Sequence, residues 1–322
     1  MNLVKHALLY FILTLFSTLL SIFILEIIIR NIVDDGFNYE LEMMKYAKLK
    51  VVKNIDNQNF FLHKPNSSKI IMRSNVDIDQ NGFRFNKSLK KAKINKNSNV
   101  LMMLGDSMTF GFGSNYTFSD YIQEKSKKKF RVLNTGVGNT NTRMQELAFF
   151  EFHKNQEPTI LILNFFINDL ENIYIKNNNF IKNNFYTFNY LNYKYNIIKL
   201  KFSKNLSYSS YYKKTFKNKN NLEQALFSIK KLQTYSDKNQ IKFLVHFIPE
   251  LHNLKNYPFL EEHKIIQNFL LENDIKYIDG LKYFKDLNES ELWVSKYDTH
   301  ANEKAHKIIG RYLLNFLEKE DY

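Results

Sequence analysis

Five short apolar runs recur along the chain with amphipathic stretches between them, and this alternation restricts the fold more than any other feature. The runs are VLMML (Val100 to Leu104), RVLN (Arg131 to Asn134), TILILNFF (Thr159 to Phe166), IKFLVHFI (Ile241 to Ile248) and IKYI (Ile275 to Ile278). Their length and continuous apolar character suit parallel strands buried on both faces. Residues 117–128, 141–155, 222–238 and 259–273 carry spaced apolar positions, and Asn302 to Leu317 closes the chain with another amphipathic run. Strands alternating with helices in this way predict an open α/β sheet with helices on both faces.

The chain has 322 residues, 44% of them hydrophobic, so it holds material for one domain of ordinary size or two small ones. No repeat period is visible, which excludes fibrous and solenoid classes. The net charge of +14 is largely local: residues 171–220 hold ten Lys, no Arg and one acidic residue, together with twelve Asn and eight Tyr. That stretch reads as a solvated insertion or as a surface for an anionic ligand. Basicity without arginine lacks the bidentate readers of bases and phosphates, so no nucleic-acid partner is expected. With no cysteine, disulfides, thiol nucleophiles and Cys-ligated zinc are excluded.

From Ala7 to Ile29 the sequence ALLYFILTLFSTLLSIFILEIII carries one charge, Glu26, over a length that crosses a bilayer as a helix. A cleaved signal peptide has a shorter apolar core followed by small residues, whereas this run leads into Arg30, Asn31 and Ile32. An uncleaved anchor is expected, with Glu26 and Arg30 four apart on one face where they can pair. The flanks carry Lys5 on one side and Arg30, Lys45, Lys48 and Lys50 on the other. Taken literally this charge count opposes export, but the count loses force before a long domain. The division expected is a short cytoplasmic N-terminus (1–6), a transmembrane anchor (7–29), a juxtamembrane segment (30–97) and an exported domain (98–322) with the insertion at about 171–220.

In open α/β sheets chemistry gathers at the carboxyl ends of the strands. Gly105-Asp106-Ser107 follows the first strand, Gly136-Val137-Gly138-Asn139 the second and Asn168-Asp169 the third, while Asp298-Thr299-His300 precedes the last helix. A serine there is a weak nucleophile until a base takes its proton; His300 supplies a base, and Asp298 can orient it. The N–H of Ser107, an N–H of the Gly138-Asn139 turn and the Asn168 amide can serve an oxyanion. Singly, each has a plainer reading: Gly-Asp-Ser as an ordinary turn, Asn168-Asp169 as a helix cap, His300 as a surface residue like His63, His153, His252 and His263. Zinc hydrolysis finds no ligand pattern, since His300 and His306 stand six apart without HExxH.

From about Asn81 to Leu317 the sequence resembles the SGNH hydrolase superfamily, the GDSL-type esterases and lipases. Leu101-Met102-Met103-Leu104-Gly105-Asp106-Ser107-Met108-Thr109-Phe110-Gly111 is similar to its first block, Asn134-Thr135-Gly136-Val137-Gly138-Asn139 to its second, Phe166-Ile167-Asn168-Asp169 to its third and Asp298-Thr299-His300 to its last. Asn302 to His306 resembles the opening of its final helix, and Asn81-Gly82-Phe83-Arg84 a segment of membrane-anchored bacterial members. The resemblance implies a three-layer, flavodoxin-like sheet. It implies Ser107 as nucleophile, His300 as base, Asp298 as its orienter, and Ser107, Gly138, Asn139 and Asn168 as oxyanion-hole residues, with no metal or cofactor.

Three departures stand out. Phe166 replaces the third block's glycine, which would narrow the turn and set a ring beside the pocket. The second block's usual glycine falls on Asn139, leaving open which N–H points inward. The acidic residue stands two before the histidine, with Tyr297 at the usual three.

The function expected is a membrane-anchored serine esterase of the inner membrane, acting on acyl, chiefly acetyl, groups of a cell-envelope glycan or lipid. Alternatives are a polysaccharide O-acetyltransferase with the same acyl-serine and a non-catalytic tethered scaffold. Tyrosines of the insertion would overhang the active-site edge and stack on sugars; its plainer reading is a solvated or membrane-skimming loop.

Overall fold

The computed structural model describes residues 2–85, 98–175, 179–202, 208–284, 287–320 and 322. Residues 86–97 of the expected juxtamembrane segment, and 176–178 and 203–207 of the insertion, lie outside them. Two compact units emerge, residues 1–48 with 176–204, and residues 49–175 with 205–322.

The first unit holds the long apolar helix, Asn2–Ile28, continued by one π-helical turn, Ile29–Val33. Val4–Val33 is long and apolar enough to cross a membrane. The side chains from Val4 to Leu25 are exposed without exception, as they would be in a helix whose partner is not protein. Arg30 Nη2 bonds Glu26 Oε1 at 2.7 Å, the pair expected from the sequence. The carboxylate has a second task. Its oxygens accept the N–H groups of Tyr186 and Thr187 at 3.0 and 2.8 Å, satisfying orphan donors at the start of helix Tyr186–Phe202. The Arg30 guanidinium lies over the Tyr186 ring at 4.4 Å. Helix Tyr39–Ala47 adds Leu41 and Met44, which with Ile29 form a small core against Tyr186 and Tyr190. The part of the insertion from Phe180 to Phe202 is therefore largely helix, packed on the N-terminal segment.

The second unit carries the strands β1 (Lys50–Ile55), β2 (Gln58–His63), β3 (Ser68–Ile71), β4 (Ser74–Ile78), β5 (Arg84–Phe85), β6 (Asn99–Leu104), β7 (Phe130–Asn134), β8 (Ile160–Phe165), β9 (Lys242–Phe247), β10 (Tyr277–Asp279), β11 (Trp293–Ser295) and β12 (Asp298–Ala301). The main sheet runs β10-β9-β8-β6-β7-β5-β4-β3. Its first five strands are parallel and coincide with the five apolar runs, in the flavodoxin-like order. β8, at the centre, has every residue buried.

The parallel sheet continues into an antiparallel wing. The residues between 30 and 97, expected only to lead into the domain, supply β3, β4 and β5, and Arg84 pairs with Asn134 to join them to β7. Their weak periodicity has a physical cause: β3, β4 and β5 are only four, five and two residues long, too short for an alternation to register. β1 and β2 form a separate hairpin.

Helices Phe118–Lys125 and Glu303–Lys319 pack together in one layer, and Thr142–Glu151 and Lys219–Lys238 in another. Gly310 permits the first contact, since a Cβ there would stand 2.7 Å from Tyr121 Cβ. Burying each Leu, Ile or Phe of the central cluster contributes about 1.5–3 kcal/mol before entropy is counted. That continuous core fixes where the strand ends, and the loops that follow them, can lie.

Candidate active site

β6 delivers Gly105, Asp106 and Ser107 to the carboxyl edge of the sheet. A Cβ at Gly105 would lie 2.0 Å from Thr109 Oγ1, so only glycine lets the chain turn this tightly. Asp106 Oδ1 caps the short helix Ser107–Phe110 by accepting the Met108 N–H at 2.9 Å. The far end of that helix is held by Arg84, whose guanidinium donates to the carbonyls of Phe110 (2.6 Å), Gly111 and Ser114. The Asn81–Arg84 segment thus clamps the turn that presents Ser107.

β12 brings His300 to the serine. His300 Nε2 lies 2.9 Å from Ser107 Oγ, and its Nδ1 lies 2.5 Å from Asp298 Oδ1, which also accepts the His300 backbone N–H at 2.9 Å. With Nδ1–H donating to Asp298, Nε2 is left to accept the serine proton. Asp298 and His300 stand on a β-hairpin, β11–β12, where a loop was expected. Asn302 then caps helix Glu303–Lys319 and ties it back by donating to the carbonyls of Glu291 and Trp293. Tyr297 is exposed, and the two-residue spacing is the one that meets the ring.

Burial acts against a charged imidazole, but the charge and hydrogen bond of Asp298 outweigh it and raise the pKa of His300 above the ordinary value. Burial likewise works against the Asp298 carboxylate, and the imidazole overcomes it, so its pKa falls. His306 is buried, accepts the Phe118 N–H through Nδ1 and is pushed down to about 3 by burial.

The oxyanion-hole candidates are less uniform. Asn168 is brought to the serine turn, but its Nδ2 donates to Asp106 Oδ2 at 3.0 Å. Asp106 Oδ2 also lies 3.3 Å from Ser107 Oγ. Asp169 instead accepts the Phe166 N–H and the Gln145 amide, bracing the loop from behind. Phe166 itself has φ −121° and ψ 159°, an extended conformation open to any residue, and it is buried in the main core. In the second block Asn139 has φ 62°, the left-handed region glycine ordinarily fills and asparagine tolerates, which explains the register of that departure.

Lys50 holds one carbonyl of the same turn. Its Nζ donates to the Gly138 carbonyl at 3.0 Å and sits 4.1 Å from the Phe61 ring centre. Because a trans peptide is planar, holding the Gly138 oxygen aims the Asn139 N–H the opposite way. Burial lowers Lys50 to about 7. Nothing in the sequence around Lys50 marks this role, because the contact spans 88 residues.

Two further residues were legible but passed over. Glu250-Leu251-His252, just past β9, repeats the acid-x-His spacing of Asp298-Thr299-His300. The other histidines grouped with His252 are no surface residues: His63, His153 and His263 are buried.

No family profile matches the chain, and no curated protein does. Solved structures do. Three of them each overlap about two thirds of this chain. One is a protein described as lipolytic, of the G-D-S-L family, from Desulfitobacterium hafniense DCB-2, with TM-score 0.45 and 15% identity over 68% of this chain and 99% of that one. Another is the acetylxylan esterase Axe2 of Geobacillus stearothermophilus, with TM-score 0.45 and 15% identity over 69% and 95%. A third is a two-domain esterase active on acetylated mannans, with TM-score 0.44 and 14% identity over 69% and 49%.

Proposed function

We propose that this chain is a membrane-anchored serine ester hydrolase whose nucleophile is Ser107. The observation that carries the reading is the unbroken line from Ser107 Oγ through the His300 ring to Asp298, at 2.9 and 2.5 Å. His300 Nε2 takes the hydroxyl proton as Oγ attacks the ester carbonyl, and the imidazolium formed is stabilised by Asp298. Collapse of the tetrahedral species breaks the bond to the alcohol oxygen, which leaves with that proton. Water then repeats the sequence on the acyl-serine, releasing the acid and restoring Ser107. The Ser107 and Asn139 N–H groups are the oxyanion donors, the latter favoured over Gly138 by the Lys50 contact; the Asn168 amide joins them on turning from Asp106.

The substrate class is an acyl, chiefly acetyl, ester of a cell-envelope glycan or lipid. Residues 7–29 span the inner membrane and the domain lies on its outer side. Exposed apolar side chains along that helix support the anchor, and a reporter fused after Tyr322 that works only in the cytoplasm would reverse the topology.

A fluorophosphonate probe is expected to label Ser107, and Ser107→Ala to lose both labelling and about 10⁴-fold or more of phenyl acetate hydrolysis. Labelling that persists in Ser107→Ala would overturn the assignment. Acetate release without an added acceptor marks a hydrolase; strict dependence on a glycan acceptor marks an acyltransferase.

A further inference from the structure

A second carboxylate–imidazole pair stands beside the first. Glu250 is buried at 1% side-chain exposure, and its oxygens accept the backbone N–H of His252 at 3.0 and 3.1 Å as well as ring Nδ1. This repeats the construction of Asp298–His300, a carboxylate two residues upstream holding both the main chain and the ring. A ring held in that way has its orientation fixed. The His252 side chain is 43% exposed, and among the described residues no hydrogen bond occupies its Nε2. Its Nδ1 lies 3.3 Å from the hydroxyl of Thr299, the neighbour of His300.

Flat aromatic surfaces frame this imidazole. Tyr208 lies 4.4 Å from it and Trp293 6.1 Å, centre to centre. Trp293 belongs to β11, the partner of the strand carrying His300, and its indole N–H is fixed by the Leu251 carbonyl at 2.8 Å. Helix Tyr208–Lys217 packs Tyr208 and Tyr212 against the buried Phe259 ring, at 6.4 and 6.1 Å centre to centre.

We propose that His252, Tyr208 and Trp293 form a subsite for a sugar ring, the alcohol half of the ester. Nε2 of His252 bonds a ring hydroxyl, and the aromatic faces cover the sugar's C–H surface. The inference rests on Ser107 and His300 acting as described above. His300 must return its proton to the departing alcohol oxygen, so the alcohol half sits on the imidazole's side, where Thr299 links the two pairs. Chemistry narrows the class. A fatty acyl chain needs a uniformly apolar channel, and this surface mixes rings with an imidazole and a hydroxyl. A phosphate headgroup needs cationic donors, and the fixed charge here is the carboxylate of Glu250.

The test compares hydrolysis of methyl 6-O-acetylglucoside, which keeps free ring hydroxyls, with that of phenyl acetate. In His252→Gln and Tyr208→Leu the ratio of kcat/KM, sugar ester over aryl ester, is expected to fall at least tenfold relative to the unaltered protein. An unchanged ratio in both folded variants overturns the subsite. Trp293 is the single tryptophan, so its emission gives a readout without turnover. Ser107→Ala titrated with the same monoacetylated glucoside is expected to show a saturable change that Tyr208→Leu abolishes, and a flat titration overturns the proposal. Failure of the hydrolase reading looks different: neither ester is then cleaved, while the emission change persists.

Discussion

Asp298–His300 and Glu250–His252 are built alike, and what separates them is where the ring points. Both carboxylates are buried, at 3% and 1% exposure, and both hold a histidine two residues on through its main chain and Nδ1. The first ring is 20% exposed and ends on Ser107 Oγ; the second is 43% exposed and ends in the open beside Tyr208 and Trp293. The same local device thus sets one free ring nitrogen against a serine hydroxyl and leaves the other beside two aromatic rings. An imidazole becomes a base for the group its free nitrogen meets.

That contrast can be broken by exchanging the carboxylates for amides. On phenyl acetate, which lacks a sugar, Asp298→Asn is expected to cost about 10²–10⁴-fold in kcat, because the amide favours the wrong tautomer. The loss for Glu250→Gln should be at least a hundredfold smaller; comparable losses would mean the two pairs share one task. Lys50 sharpens the contrast from another side, since it touches the Gly138–Asn139 turn. Lys50→Met is expected to lower kcat about 10- to 100-fold with little change in KM, as when an oxyanion donor is misdirected. A change confined to KM would remove Lys50 from that role.

The smallest effect expected is one of pH. Because the pKa of His300 is raised, kcat/KM should rise with pH through an inflection above the ordinary histidine value of 6.5. In Asp298→Asn the inflection should move down, since burial is then opposed only by the charge of Asp106. The stability effect has the matching sign. The His300 contribution is complete below 6.5 and lost as pH rises through its raised value; that of Asp298 is complete above 3.8 and lost as pH falls through its lowered value. Lys50 acts oppositely: its pKa of about 7 makes stability rise from there toward 10.5, and Lys50→Met should flatten that slope in urea titrations.

The parallel half of the sheet was legible from the chain because its strands are buried on both faces, which forces long apolar runs. The wing β3–β5 was not, because strands of two to five residues are too short for an alternation to register. The helical part of the insertion was hidden as well. Its Tyr, Lys and Asn content reads as solvated until Glu26 is seen to accept the N–H groups of Tyr186 and Thr187.

The sequence by itself determined the order of strands and helices, the apolar N-terminal helix and the placing of Ser107, Asn168, Asp298 and His300 near element ends, since periodicity and turn chemistry act over a few residues. Only the tertiary structure decided that His300 reaches Ser107 across 193 positions, that Asn168 first bonds Asp106, and that Lys50 grips the Gly138 carbonyl. It also set His252 apart from the buried histidines. Those contacts join segments far apart in the chain, and the core that brings them together leaves no periodic trace at either end of each contact.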